Sequence, residues 1–200
     1  MPPDDEQGRP RVTRLGRRLA CRNSRFNVWF DHIRDPATGT EVPDFLVVEP
    51  FGAGDDAVGG VGIVPVLDGS VVLLRTFRHP IAAELVEIPG GFVDPGEEPA
   101  AAALRELAEE TGFVCPPEAL VPLGFCYPEA GVLRARIALF AATSCRPDPT
   151  RARDAGEIGM GAMLTVPLAD LPALLRDGAI EDAVSALALH RYAVMSPPTA

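Results

Sequence analysis

The chain has 200 residues, of which 47% are hydrophobic and 23% are charged, as expected for a globular protein with a substantial core. Its formal net charge of -10, from 28 acidic and 18 basic residues, argues against binding nucleic acid by charge alone. All the basic residues are arginine, which excludes any mechanism that needs a catalytic lysine. A small phosphate ligand is compatible with this charge if cations bridge it to the protein.

The cysteines do not form a C-x-x-C pair, so a zinc site has no support in the sequence. No secretory hydrophobic region precedes them, and the longest apolar runs are too short to cross a bilayer. We therefore expect a cytoplasmic protein with free thiols that contacts neither nucleic acid nor membrane. The four cysteines are Cys21, Cys115, Cys126 and Cys145.

The first part of the chain predicts a tail followed by strands. Residues 1–20 lack apolar periodicity and are expected to form a flexible tail. Residues 21–56 are expected to form a small β-region, with strands over residues 21–49 and a turn at residues 35–39. A hairpin follows, in which Asp68-Gly69-Ser70 connects the apolar runs 61–67 and 71–76.

Residues 57–193 are expected to form one α/β domain, with a short tail at residues 194–200. Its clearest element is a helix over residues 97–111, because Pro99 suits the first helical turn and Gly112 suits the C-cap. The other predicted elements are a strand at 84–88, a strand at 134–143, a long polar loop at 146–161, and helices at 168–176 and 180–192.

The helix at 97–111 carries Glu106, Glu109 and Glu110 at positions i, i+3 and i+4, so all three lie on one face. Like charges at this spacing repel, and carboxylates near a helix C-terminus oppose the helix dipole. A hard divalent cation such as magnesium or manganese would compensate for both effects. The alternative is a solvated acidic face on which Arg105 pairs with Glu109.

The residues around this helix have a defined spacing. Gly91 is followed after five residues by Glu97, and after seven more by the run RELAEETGF at residues 105–113. This pattern resembles the Nudix box at every defined position. The runs LRTFRHP at 74–80 and ELVEIPGG at 84–91, together with residues 177–189, resemble the corresponding segments of ADP-ribose pyrophosphatases. The likeness covers about residues 20–193.

The resemblance implies an α/β/α sandwich around a mixed sheet with a small N-terminal β-region. It also implies a homodimer, in which residues 21–56 mediate dimerisation and contribute to the partner's site. The implied cofactor is Mg²⁺ or Mn²⁺. The implied metal ligands are Glu106, Glu109, Glu110 and the backbone carbonyl of Gly90.

The resemblance further implies catalytic roles for Glu109, Arg105 and Glu157. Arg105 would orient the acidic cluster, and Glu97 would have a structural or outer-metal role. Glu157 lies in an acidic loop segment and would supply the general base or a further metal ligand; an exposed loop acid is the alternative. Asp154 and Glu129 are the reserve candidates for the base. The residues implied to bind substrate are Arg78, Pro128 and Arg136.

The implied reaction is hydrolysis of the pyrophosphate bond in ADP-ribose or a related nucleoside diphosphate sugar. The products would be a nucleoside monophosphate and a sugar phosphate. One position departs from the ADP-ribose hydrolases, since Ala135 stands where they carry a glutamate, although Arg136 is in place. Two alternatives remain open: a housecleaning hydrolase of other nucleotides, and a nucleotide-sugar sensor without turnover. The intact box carboxylates disfavour the sensor.

Overall fold

The computed structural model describes residues 11–51, 58–150, 153 and 158–195. The chain divides into two compact units. The N-terminal unit contains residues 1–59 and 127–136, and the larger unit contains residues 60–126 and 137–200. Within the described ranges, no helix is both long enough and apolar enough to span a membrane.

The N-terminal unit is built on an antiparallel sheet with the strand order β1-β2-β3. A turn closed by Gly39, with φ of 72°, connects the last two strands where residues 35–39 predicted it. Residues 127–136 belong to this unit because Leu133 forms a parallel bridge with Val48, and the N–H of Arg134 donates to the carbonyl of Val48 at 2.8 Å. The strands are β1 (Thr13–Arg22), β2 (Phe26–Arg34) and β3 (Glu41–Pro50).

The first strand shows that the prediction of a tail over residues 1–20 is wrong for residues 13–20. Most side chains of β1 are exposed, so the strand lacks the alternation by which a strand is recognised. Contacts with β2 stabilise it instead. Arg17 forms a salt bridge with Asp31 at 2.6 Å and lies 5.2 Å from the Trp29 ring centroid, and Arg18 lies 4.5 Å from that of Phe30. Residues 1–10 lie outside the described residues.

The central sheet has seven strands, in the order β12-β5-β4-β10-β9, with β6 beside β5 and β7 beside β4. Asp68 and Gly69 both have positive φ, as the tight turn of the predicted hairpin requires. The elements that follow β3 are β4 (Val58–Leu67), β5 (Ser70–Arg78), β6 (Ala83–Glu87), β7 (Gly90–Phe92), α1 (Pro99–Thr111), β8 (Phe113–Val114), β9 (Leu120–Cys126), β10 (Arg136–Ala142), β11 (Arg146–Pro147), β12 (Met160–Pro167), α2 (Leu171–Arg176) and α3 (Ala183–Met195).

The main core of the larger unit lies between the sheet and the two C-terminal helices. The sheet contributes Val64, Leu73 and Leu139, all at most 1% exposed, while α3 contributes Ala188 and Leu189. Helix α1 buries one apolar face. The buried apolar residues of α1 are Ala102, Ala103, Leu107 and Ala108.

The α/β architecture and its mixed central sheet confirm the predicted fold class. Two long strands of this sheet, β9 and β12, were not predicted. In β9, Gly124 has φ of 90° and lies opposite a register shift between Leu139 and Phe140, so the apolar alternation is interrupted. Strand β12 begins at Met160, inside the predicted loop 146–161, and pairs with β5. Helix α3 continues to Met195, beyond the predicted domain end at residue 193.

Candidate active site

Helix α1 places the box carboxylates as its sequence predicted. Pro99 occupies the first helical turn, and Gly112 ends the helix with φ of 72°, its N–H donating to the carbonyl of Ala108. Along the polar face, the three glutamates differ in exposure. Glu110 is buried at 6% exposure and the Glu106 side chain is 12% exposed, whereas that of Glu109 is 49% exposed.

Arg105 gathers three carboxylates around one guanidinium group. Its Nε and Nη2 donate to the two carboxylate oxygens of Glu97 at 3.0 and 2.9 Å. Its Nη1 donates to Glu106 at 2.8 Å and to Glu109 at 3.1 Å. These hydrogen bonds, those of Glu97 above all, raise the pKa of Arg105, and in return Arg105 holds the pKa of Glu97 below its usual value. The cation therefore offsets much of the repulsion on this face.

Gly90 and Gly91, in β7, each lie against one carboxylate of α1. The N–H of Gly90 donates to Oε2 of Glu110 at 2.8 Å. A Cβ at Gly91 would collide with the carboxylate of Glu106. A Cβ at Gly90 would collide with the carbonyl of Val61 on β4. The two glycines therefore allow the backbone of β7 to approach both the sheet and the acidic face of α1.

Arg78, at the end of β5, is held by Glu87 of β6. Nε and Nη2 of Arg78 donate to the Glu87 carboxylate at 2.9 and 2.6 Å. The Glu87 side chain is 5% exposed, whereas that of Arg78 is 53% exposed. The pKa of Arg78 is raised, first by these hydrogen bonds and further by the charges of Glu87, Asp182 and Glu110. Arg78 is thus a fixed cation within the field of the α1 carboxylates.

The start of α3 is joined to the strand that precedes the box. The N–H of Ile88 donates to Oγ of Ser185 at 3.0 Å. The hydroxyl of Ser185, which is buried, donates to Asp182 at 2.6 Å. This chain of hydrogen bonds fixes the backbone just before Gly90.

The α1 donor set fits a hard divalent cation, because it consists of carboxylate oxygens on one helix face. The described residues nevertheless contain no group of three His, Cys, Asp or Glu side chains in metal-binding arrangement. Arg105 engages Glu106 and Glu109, and the Gly90 N–H engages Glu110, so the carboxylates are directed to these donors. Binding a cation would require these side chains to rotate away from those donors.

The remaining predicted residues belong to the N-terminal unit or lie outside the described residues. Pro128 and Arg136 belong to the N-terminal unit, and so does Glu129, whose carboxylate accepts from the N–H of Gly131 at 3.1 Å. Glu157 and Asp154, the predicted base and its first reserve, lie outside the described residues.

Sequence reasoning missed three residues near the site: Glu87, Ser185 and Arg153. Glu87 had a recognisable signal, since it is an acid inside an apolar strand pattern next to the box. Arg153 donates through Nε to the carbonyl of Glu110 at 2.6 Å, a contact across 43 positions of sequence. Asp182 lies three residues before Ser185, a helix-capping spacing that indicates this contact, but nothing local to Arg153 indicates its partners.

Comparison with known proteins identifies the family of this chain. The family model described as the NUDIX domain matches residues 57–186. The chain therefore belongs to the NUDIX family, and the predicted resemblance is confirmed. Members of this family generally use a divalent metal. The fold is also similar to a crystal structure of an ADP compounds hydrolase, with a TM-score of 0.76 and 22% identity, covering 93% of this chain and 94% of that one.

Two curated relatives match part of this chain. An ADP-sugar pyrophosphatase of Mus musculus is 47% identical over 58 residues, which is 26% of this chain and 27% of that protein. An ADP-ribose pyrophosphatase of Bacillus subtilis (strain 168) is 46% identical over 56 residues, which is 28% of this chain and 30% of that protein. The match thus spans less than a third of either relative.

Proposed function

We propose that this protein hydrolyses the pyrophosphate bond of ADP-ribose or a related nucleoside diphosphate sugar, using a divalent metal. The observation that carries the proposal is the set of box carboxylates on α1, ordered by Arg105 and by the backbone of Gly90. One relative is named an ADP-sugar pyrophosphatase and the other an ADP-ribose pyrophosphatase, and these names support the choice of substrate. The predicted Nudix pyrophosphohydrolase activity agrees with this set of carboxylates and with the names of the relatives.

The cation, Mg²⁺ or Mn²⁺, would be held by Glu106, Glu109, Glu110 and the carbonyl of Gly90. When bound, it supplies charge neutralisation of the pyrophosphate and a lowered pKa of the attacking water. The water oxygen forms a bond to one phosphorus, and the bond from that phosphorus to the bridging oxygen breaks. The water proton passes to a general base, for which we propose Glu157. The products are a nucleoside monophosphate and a sugar phosphate.

Two arginines have distinct roles in this scheme. Arg105 donates hydrogen bonds to the carboxylates of Glu106 and Glu109 and thereby orients the ligand oxygens. Arg78 contacts the phosphates, since about half of its side chain is exposed while Glu87 fixes its other edge. A guanidinium group held in this way loses little conformational freedom when a phosphate binds. We propose Pro128 and Arg136 as further substrate contacts.

We also propose a homodimer formed through the N-terminal sheet. A three-stranded sheet needs an apolar face packed against something else to be stable. The sheet β1-β2-β3 instead leaves several large apolar side chains about 40% exposed. A second copy of the chain packed on one face of the sheet would cover those that point to that face. The exposed large apolar side chains of this sheet are Leu15, Leu19, Val42, Phe45 and Leu46.

The test of the reaction is a substrate panel with product identification. ADP-ribose, other nucleoside diphosphate sugars and nucleoside triphosphates are each incubated with Mg²⁺, Mn²⁺ or EDTA, and products are identified by mass spectrometry. The proposal expects a nucleoside monophosphate and a sugar phosphate, formed only with metal. Preferred cleavage of triphosphates would favour the housecleaning alternative. Tight binding of a nucleoside diphosphate sugar without cleavage would favour the sensor.

A further inference from the structure

The segment that leaves β10 is fastened to the C-terminal end of α1 at several points. Strand β11 pairs with β8, which follows the helix, with Arg146 opposite Val114. The N–H of Asp148 donates to the carbonyl of Gly112 at 3.0 Å. Nε of Arg153 then donates to the carbonyl of Glu110 at 2.6 Å. Of these contacts, that of Arg153 is made to the backbone of a predicted metal ligand, Glu110.

Arg153 also reaches the edge of the central sheet. Its Nη1 donates to the carbonyl of Gly161, in β12, at 2.6 Å. Beside it, the carbonyl of Gly159 accepts from the N–H of Phe77, the residue before Arg78. A Cβ at Gly161 would lie 2.7 Å from the carbonyl of Arg75, so β12 approaches β5 closely here. One guanidinium group therefore joins the last turn of α1 to β12, which pairs with β5, the strand that ends at Arg78.

The charge of Arg153 suits its position. Helix α1 has no basic residue in its last turn, although that turn carries Glu109 and Glu110. Arg153 places a cation at this helix end, where the dipole is negative. Its Nη2 is buried and has no hydrogen-bond partner among the described residues.

We propose that Arg153 is a positioning residue for the cation-binding end of α1. By fixing the carbonyl of Glu110, it fixes the backbone from which the Glu110 carboxylate projects toward Gly90. By binding the carbonyl of Gly161, it also holds that helix end next to β12, which pairs with β5. The inference rests on the proposed function, because it assumes that the α1 carboxylates hold a divalent cation.

A positioning role and a purely electrostatic role predict opposite effects on metal binding. Removing a positive charge beside a cation site should strengthen cation binding if charge alone matters. Removing the support of a ligand's backbone should weaken it, and loss of a residue that orients a metal ligand typically weakens metal affinity or activity by about 10- to 100-fold. The sign of the change therefore separates the two roles.

The experiment measures Mn²⁺ binding to the metal-free full-length chain by electron paramagnetic resonance, for the wild type, Arg153→Gln and Arg153→Lys. Arg191→Gln is the matched control, because Arg191 also donates to two backbone carbonyls, those of Leu123 and Phe125, at 3.0 and 3.1 Å. We expect Arg153→Gln to weaken Mn²⁺ binding about tenfold or more. Arg153→Lys keeps the charge but cannot bind both carbonyls in the same geometry. It should therefore bind Mn²⁺ more tightly than Arg153→Gln and more weakly than the wild type. Arg191→Gln should bind Mn²⁺ as the wild type does.

Kinetics and melting temperature complete the test. With a cleaved substrate at saturating metal, kcat should fall more than KM rises in Arg153→Gln, while its melting temperature falls no further than that of Arg191→Gln. Unchanged or tighter Mn²⁺ binding in Arg153→Gln overturns the inference, as does an equal loss in Arg191→Gln. If Arg153→Gln does not fold, Arg153→Lys decides by the same two readouts. Failure of the wild type to bind Mn²⁺ would overturn the cation site itself, which distinguishes that failure from failure of this inference alone.

Discussion

Gly91 lies so close to the carboxylate of Glu106 that no Cβ would fit between them. The glycine belongs to β7 and the glutamate to α1, so the contact joins the strand to the helix. The contact also explains why position 91 is a glycine. Gly91 does not have a positive φ, so its backbone conformation alone does not require glycine. Glycine is favoured here by the neighbouring Glu106 carboxylate and not by the backbone conformation.

The contact predicts that Gly91→Ala displaces Glu106. Because the added methyl group meets only the end of a flexible side chain, it should change the unfolding free energy little but weaken Mn²⁺ binding. Thermal unfolding and Mn²⁺ titration measure the two effects. Gly16→Ala in β1 is the control, because a Cβ there meets nothing within 4 Å and its φ is not positive. Wild-type Mn²⁺ affinity in Gly91→Ala would contradict the assignment of Glu106.

Glu110→Gln is expected to keep the fold and lose most activity. The amide oxygen can still accept from the N–H of Gly90, so the local structure is retained. The lost ligand charge should raise the barrier by several kcal/mol, or about a hundredfold or more in kcat. Circular dichroism and a melting curve check the fold, and the melting temperature of the metal-free variant should be equal or higher because repulsion is reduced. Near-normal turnover in a folded variant would refute the role.

Truncations test the proposed dimer. Deleting residues 1–10 should leave activity and oligomeric state unchanged, because β1 begins at Thr13. Deleting residues 1–22 removes a whole strand and with it the salt bridge to Asp31, so dimerisation and activity should fall together. Light scattering coupled to size-exclusion chromatography reports the mass. A fully active monomer after the longer deletion would contradict the dimer.

The identity of the general base is tested by comparing three variants at saturating metal. Glu157→Gln should lower kcat most, while Asp154→Asn and Glu129→Gln should retain most activity. Glu129 already uses one carboxylate oxygen to bind the N–H of Gly131 in its own loop. Wild-type kcat in Glu157→Gln together with a collapse in one of the others would reassign the base. Full activity in all three would mean that no essential acid comes from these positions.

The thiols should differ sharply in reactivity. Burial raises the pKa of Cys145 to about 12, so this thiol stays protonated and unreactive through pH 8. Cys21 is exposed and should react first with iodoacetamide. Burial also raises the pKa of Cys126, which should react more slowly than Cys21. Timed alkylation of the native protein with mass spectrometry gives the order. Early labelling of Cys145 would contradict its buried environment.

The sequence by itself determined the parts of the molecule whose signals lie within a few residues. Pro99 and Gly112 mark the ends of α1, and Asp68-Gly69 marks the hairpin turn, because helix caps and tight turns depend on local backbone conformation. The spacing of the box likewise places Glu106, Glu109 and Glu110 on one face, since helical periodicity is independent of what packs against the helix.

Tertiary structure decided what these residues contact. The exposed strand β1 is stabilised because its arginines contact Asp31, Trp29 and Phe30 of β2. The sequence of β1 lacks the apolar alternation from which a strand is predicted, so these contacts could not be foreseen. The partner of Arg78 is Glu87, and the cation at the end of α1 is Arg153, which lies 43 positions away from Glu110. Hydrogen bonds and ion pairs act over a few ångströms of space, so they depend on how the strands and loops are brought together and not on separation along the chain.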